Sequence, residues 1–175
     1  MSLIYIQPIN DEDLWPNEST QVLHLATPPA IGDRLPLGGP RAWDVVAVDE
    51  YQIPGNGGSL YLVHCNLGAA PPREGWYQVK KYLTYSTSMQ LYIGNDALLH
   101  WHMSLDGSSP KTGVLLPRYN VREHGVTAQP WGVETITQYM PTEAVEQPCY
   151  RSIWVGQCIY VPAVLETPQE ALQAA

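Results

Sequence analysis

The sequence predicts an all-β protein that consists of two diverged copies of one β-unit, with at most one or two short helices. Only 15% of the 175 residues are charged, while Tyr, Trp, Val and Leu are frequent, a composition that favours strands over helices. Sixteen prolines and fourteen glycines supply the turns that many short strands need. Two segments of the chain also repeat. We therefore expect the copies to pack as a duplicated barrel-like or sandwich-like assembly with a shared core.

The clearest repeat is a strand-like segment that begins with Trp and ends with Tyr. Residues 43–51 read W-x-V-x-x-V-x-x-Y, and residues 131–139 read W-x-V-x-x-I-x-x-Y. After a loop, each is followed by an apolar segment that contains an aromatic residue and ends in Cys, at Cys65 and Cys158. Weaker upstream matches pair residues 4–6 with 91–93, and residues 22–25 with 98–101, including His24 with His100. The shared order and spacing predict a duplication.

Alternating apolar residues and β-branched or aromatic content predict nine strands. Their predicted ranges are 3–7, 21–26, 42–51, 59–66, 90–94, 97–103, 113–117, 132–140 and 152–161. Glycines and prolines after residue 67 mark the boundary between the copies. The predicted organisation is a first β-unit at 1–67, a junction at 68–87, a second β-unit at 88–162 and a tail at 163–175.

Two segments outside these strands carry other signals. Residues 76–87 fit either an interrupted strand or one face of a helix, and we interpret them as a strand. Residues 167–170 read Thr-Pro-Gln-Glu, a pattern typical of the start of a short helix.

Charge and cysteine content restrict the possible partners and compartment. The formal net charge is −8, which argues against binding to nucleic acid or to anionic membranes, because both rely on cationic side chains. No apolar run approaches the ~20 residues of a membrane span, and the N-terminus lacks signal-peptide features. Three widely spaced cysteines do not resemble a disulfide scaffold. We expect a cytoplasmic protein with reduced core thiols at Cys65 and Cys158, and Cys149 as the accessible one.

The sequence contains no catalytic signature. Phosphate-binding glycine loops, dinucleotide fingerprints and G-x-S-x-G elbows are absent. His64 and Cys65 are adjacent on a predicted strand and should point to opposite faces, as should Asp49 and Glu50. We therefore predict no catalytic residues, no enzyme activity and no cofactor.

The main functional interpretation is a binding or assembly protein whose partner is an unknown protein or a small molecule. Eleven tyrosines and six tryptophans exceed what a core of this size usually needs, and amphipathic rings favour interfaces. We predict an aromatic groove or dimer contact where the two copies meet, with Tyr82, Tyr85, Trp101 and Trp131 at its wall. A homodimer is one form that such an assembly can take.

The alternative interpretation is a small metal-binding β-barrel enzyme. His100 and His102 are two residues apart on a predicted strand, so both imidazoles should share one face. The spacing from Gly94 through these histidines to Asp106 resembles the first metal-binding motif of cupins, with Asp in place of their usual Glu. The resemblance implies a divalent metal such as Zn or Fe, held by His100, His102 and Asp106 or His24. The second cupin motif is absent, so this interpretation stays the alternative.

Overall fold

The computed structural model describes residues 2–9, 20–37, 39, 41–55, 57–68, 75, 77–78, 81, 87–120 and 125–161, and of residues 118–120 and 125–129 it describes the backbone alone. Two of the predicted groove residues, Tyr82 and Tyr85, lie outside this part of the chain. The predicted helix start at residues 167–170 also lies outside it.

The described residues form nine strands, which confirms the predicted all-β class. They are β1 (Ser2–Pro8), β2 (Gln21–Leu25), β3 (Trp43–Gln52), β4 (Ser59–Leu67), β5 (Ser88–Gly94), β6 (Ala97–Ser104), β7 (Leu115–Asn120), β8 (Gly125–Pro141) and β9 (Ser152–Tyr160). Each overlaps one predicted strand. The interpretation of residues 76–87 as a strand is wrong at Tyr77, Gln78 and Lys81, which are helical. The four-residue spacing of Tyr77 and Lys81 brings both side chains to one side, with the ammonium 6.0 Å from the ring centroid.

The strands belong to one open mixed sheet in the order β2-β1-β4-β3-β8-β9-β5-β6, with β7 paired to β8. The pairs β1–β4 and β5–β9 are parallel, and the other pairs are antiparallel. The stretches β2-β1-β4-β3 and β6-β5-β9-β8 therefore have the same pattern of pairing directions. They are joined through β3 and β8 by only two residue pairs, Tyr51 with Pro141 and Gln52 with Met140.

Buried apolar side chains form three clusters. The first, which we call the shared cluster, contains Leu3, Tyr5, Val22, Tyr51, Leu60 and Leu62 from the first predicted unit, and Met89, Leu91, Ile93, Cys149, Tyr150, Ile153 and Val155 from the second. The second, the Leu35 cluster, contains Ile4, Ile6, Leu35, Trp43, Val45, Val63, Cys65 and Leu67. The third, the Leu116 cluster, contains Leu116, Val133 and Cys158. Successive residues of β1 alternate between the shared cluster and the Leu35 cluster, so both faces of this strand are buried.

The two ends of the strand order lie close to each other. Cα atoms of β2 and β6 approach within 8 Å, and His24 Nε2 lies 3.4 Å from Asp96 Oδ1 in the turn between β5 and β6. Asn95 and Asp96 have φ values of 48° and 60°, the left-handed conformation that a two-residue hairpin turn requires. Among the described residues, no helix has the length and apolar character that a membrane crossing requires.

A buried hydrogen-bonded clamp fixes the connection between β8 and β9. The Tyr51 hydroxyl donates to the Tyr150 carbonyl at 3.0 Å and accepts from the Tyr150 backbone N–H at 3.1 Å. The Tyr150 hydroxyl donates to Gln7 Oε1 at 2.6 Å. Because the clamp draws this segment into the core, Cys149 is only 2% exposed, and the expectation that it is accessible is wrong. Cys65 and Cys158 are buried, as predicted.

Candidate functional site

A groove of about 260 Å³ lies against β5 and β6, on the side of the Leu116 cluster. Its polar lining consists of Gln90, Tyr92, His102, Ser108, Ser109 and Lys111. Its apolar lining consists of Pro110, Val114, Leu115, Leu116, Pro117 and Val133. Leu116 and Val133 are buried, at 1% and 3% exposure, whereas Val114 and Leu115 are exposed. A concave surface with an apolar base and a few converging polar groups is typical of small-molecule sites.

The polar groups of the groove are held by hydrogen bonds. Gln90, on β5, is 5% exposed, and its amide nitrogen donates to the Ser108 carbonyl at 2.7 Å. Its amide oxygen accepts from the Tyr92 hydroxyl at 2.6 Å. A buried amide is tolerated only when its hydrogen-bonding groups find partners, and these two bonds supply them. Gln90 therefore connects the strand to the 105–114 loop and fixes the groove wall.

The turn after β6 depends on Asp106. Its carboxylate accepts from the Ser104 hydroxyl at 2.5 Å and from the Ser108 backbone N–H at 3.0 Å. These hydrogen bonds stabilise the charged form and lower the Asp106 pKa to about 2. The carboxylate thus shapes the loop that forms one side of the groove.

The ionisable side chains of the groove are basic, except for the Tyr92 phenol. Lys111 and His102 are exposed, and none of the described lining residues is Asp or Glu. This contrasts with the whole chain, in which seventeen acidic residues outnumber nine Lys and Arg. The groove is a local exception to the negative charge of the protein.

The predicted metal ligands are brought together only in part. His100 and His102 lie on one face of β6, as expected, and the His100 ring centroid lies 5.7 Å from that of Tyr92. Burial, and secondarily the charge of His102, lowers the His100 pKa. His24 pairs with Leu3, so it belongs to the face of the shared cluster. Within the described residues, no three His, Cys, Asp or Glu side chains form a potential metal-binding group. Metal binding by the histidine pair stays a prediction.

The predicted aromatic wall is divided between two clusters. Trp101 packs against the shared cluster, and Trp131 packs against the Leu116 cluster. Trp131 also makes an edge-on contact with Tyr160, with ring centroids 5.6 Å apart. These two tryptophans contribute to different cores.

A second group of ionisable side chains was not predicted from the sequence. Asp49 Oδ2 lies 3.7 Å from Lys81 Nζ and 3.9 Å from His64 Nε2, and the His64 and Tyr77 ring centroids are 4.8 Å apart. Burial raises the Asp49 pKa, and the nearby Lys81 charge opposes this rise. Burial also raises the Tyr77 pKa, which keeps the phenol protonated. The group anchors the helical residues to β3 and β4. Asp49 pairs with Leu62, so it lies on the face of the shared cluster, and His64 lies on the same face of β4. No sequence signal identifies Tyr77 and Lys81 as the residues that pack against them.

Burial disfavours the reactive thiolate form of Cys65, the residue that follows His64. Cys65 points to the Leu35 cluster, on the opposite face of β4 from His64, as predicted. Burial raises its pKa to about 12, so the thiolate is scarce at neutral pH.

No protein-family model matches the chain, and none of the curated proteins or solved structures is significantly similar to it.

Proposed function

We propose that the chain is a duplicated β protein that binds a small molecule in the groove of its second unit, without catalysing a reaction. In this proposal the stretches β2-β1-β4-β3 and β6-β5-β9-β8 are equivalent and face each other across the shared cluster, as in a sandwich. The observation that carries the binding function is that polar and aromatic side chains line the groove of the second unit at positions where the first unit has aliphatic side chains.

Strand registers support the duplication. Val45 pairs with Cys65 and Val133 with Cys158, and a β-bulge follows each valine. Residues matched through these ladders are shifted from the sequence matches. The ladders match Tyr5 with Leu91 in place of Tyr92, and His24 with Met103 in place of His100. Both members of the pair Tyr5 and Leu91 belong to the shared cluster.

A turn before each tryptophan strand supports the duplication independently. Residues 29–36 and 110–117 both read P-x-x-G-x-x-L-P. Gly32 and Gly113 have φ values of 94° and 79°, and each donates its N–H to the matching valine, at 2.9 Å for Val45 and 2.8 Å for Val133. The same local pattern thus forms the same contacts in both units.

The units differ where the second has its groove. The ladders match Ile4 with Gln90, Ile6 with Tyr92, and Leu23 with His102. In the first unit the aliphatic side chains at these positions pack into the Leu35 cluster. In the second unit, the polar and aromatic replacements line an open cavity. The two units share their strand pattern but differ in polarity at the groove. This difference favours a ligand-binding role for the three side chains over a packing role.

The test exchanges the groove residues for those of the first unit. A triple variant, Gln90→Ile with Tyr92→Ile and His102→Leu, should fold but no longer bind fragments from a small-molecule panel. Binding is measured from the changes in backbone NMR chemical shifts when each fragment is added. In the wild-type protein, these shifts should centre on residues 90–92, 102 and 108–117. Arg34→Ala is the matched control in the first unit, where Arg34 forms an exposed ion pair with Asp44, and it should bind normally. Fragment shifts that persist in the triple variant, or that centre on other residues, contradict the proposal.

A further inference from the structure

Lys111 supplies hydrogen-bond donors that the groove can offer to a ligand. The Gln90 amide is engaged by the groove wall, since its oxygen accepts from Tyr92 and its nitrogen donates to the Ser108 carbonyl at 2.7 Å and lies 3.5 Å from Ser108 Oγ. The Lys111 ammonium has three donors and no acceptor. A ligand that presents oxygen acceptors complements this set.

The charge of the groove restricts the ligand further. Lys111 carries a positive charge, His102 adds an imidazole, and the described lining has no carboxylate that would repel an anion. The matching position in the first unit, by the shared P-x-x-G-x-x-L-P pattern, is Ala30, so the cation belongs to the unit with the groove. A cationic ligand would meet Lys111 with no compensating acid, which disfavours it.

The remaining lining is aliphatic. Leu116 and Val133 form a buried base, and Leu115 is an exposed side chain at the rim. Such a surface stabilises the apolar body of a ligand by removing it from water. A volume of about 260 Å³ restricts that body to a few carbon atoms, since drug-sized ligands occupy sites of about 300–1,000 Å³.

We propose that the groove binds a small amphipathic carboxylate, with the anionic group at Lys111 and the apolar chain over Leu116 and Val133. This inference rests on the proposed binding function and adds the chemical class of the ligand. It follows from two properties that coincide in one cavity: a lysine with no acidic residue in the described lining, and an aliphatic base.

The experiment compares three probes of equal chain length, hexanoate, hexylamine and hexanol, by backbone NMR titration of the full chain at low salt. Hexanoate should shift the amides of residues 111–116 and 132–134 at lower concentration than either other probe. Lys111→Gln should weaken hexanoate binding up to about fivefold, the range expected for an exposed ion pair, and Lys111→Arg should retain it. Arg34→Gln, which removes a cation from the first unit, should leave binding unchanged. Butanoate should bind about 15-fold more weakly than hexanoate, because its chain is two methylenes shorter and buries less apolar surface.

The possible failures separate the two proposals. Preferential binding of hexylamine or hexanol in the groove overturns the carboxylate class and leaves the binding function standing. Equal binding of hexanoate to the wild-type protein and Lys111→Gln also overturns the class. Absence of groove shifts with all three probes overturns the carboxylate class, and absence of shifts with the fragment panel as well overturns the binding function itself.

Discussion

The clamp between Tyr51 and Tyr150 gives the sharpest quantitative prediction, for the variant Tyr51→Phe. The substitution keeps the ring in the shared cluster and removes one oxygen. That oxygen is both donor and acceptor for the Tyr150 backbone, at 3.0 Å and 3.1 Å, and both residues are fully buried. Each buried backbone group left without its partner costs about 1–3 kcal/mol, and two such groups lose theirs, so we expect the free energy of unfolding to fall by about 2–6 kcal/mol. This is a large part of the ~5–15 kcal/mol of a typical domain.

The assay is urea denaturation at constant protein concentration, followed by tryptophan fluorescence, with the slope of the transition compared between variants. Tyr139→Phe is the matched control, since Tyr139 pairs with Ile153 as Tyr51 pairs with Leu60. The Tyr139 side chain is partly exposed, so its change should stay within about 0.5 kcal/mol. If the two variants lose the same stability, the clamp does not contribute as its geometry indicates.

Three further predictions concern packing, charge and pH. Gly94→Ala should cost about 1–3 kcal/mol, because an added Cβ would lie 2.7 Å from the Trp131 ring; a thermal melt unchanged from wild type would contradict this. Lys81→Met should cost about 2–3 kcal/mol by leaving the Asp49 carboxylate without its cation, and addition of Asp49→Asn should recover most of this loss in urea denaturation. Asp106→Asn should destabilise the protein at pH 7. Folding lowers the Asp106 pKa from 3.8 to about 2, so the ionised carboxylate contributes its full stabilisation above about pH 4. This stabilisation is lost as the pH falls through 2, where the wild-type protein and Asp106→Asn should become equally stable.

The strands were predictable because their signal is local. Segments such as 43–51 and 152–161 combine alternating apolar residues with aromatic or β-branched side chains, and these properties do not depend on distant contacts. The class of fold follows from such segments separated by glycine and proline. In the proposed duplication, the strand ladders replace the sequence match of His24 with His100, since His24 pairs with Leu3 whereas His100 pairs with Tyr92.

The candidate site was less predictable because its parts come from different elements. The pattern of β6 predicted that His100 and His102 share a face, but not that the 105–114 loop folds back over Gln90. That contact depends on the hydrogen bonds of Asp106, which the sequence presents as a possible metal ligand. Burial of Cys149 depends likewise on Tyr51, a residue of another strand. Long-range contacts of this kind have no local pattern.

The groove itself should cost the protein stability, and this provides the last prediction. Gln90 is nearly buried, and the proposed duplication matches its position with that of the fully buried Ile4. Its amide is tolerated because Tyr92 and Ser108 satisfy it, yet a hydrogen-bonded amide gains less from burial than an aliphatic side chain. Sites kept for binding are commonly less stable than a sequence chosen for packing alone.

The triple variant with Gln90→Ile, Tyr92→Ile and His102→Leu removes the amide and its phenol partner together. Replacement of both partners by apolar groups is close to neutral or stabilising. We therefore expect its free energy of unfolding in urea to equal or exceed that of the wild-type protein by about 1 kcal/mol, while fragment binding is lost. Gln90→Ile alone is the control, because it leaves the Tyr92 hydroxyl without its acceptor and should be less stable than the triple variant. A triple variant that loses several kcal/mol would mean that Gln90, Tyr92 and His102 are needed for the fold, and the functional reading of the difference between the units would then be wrong.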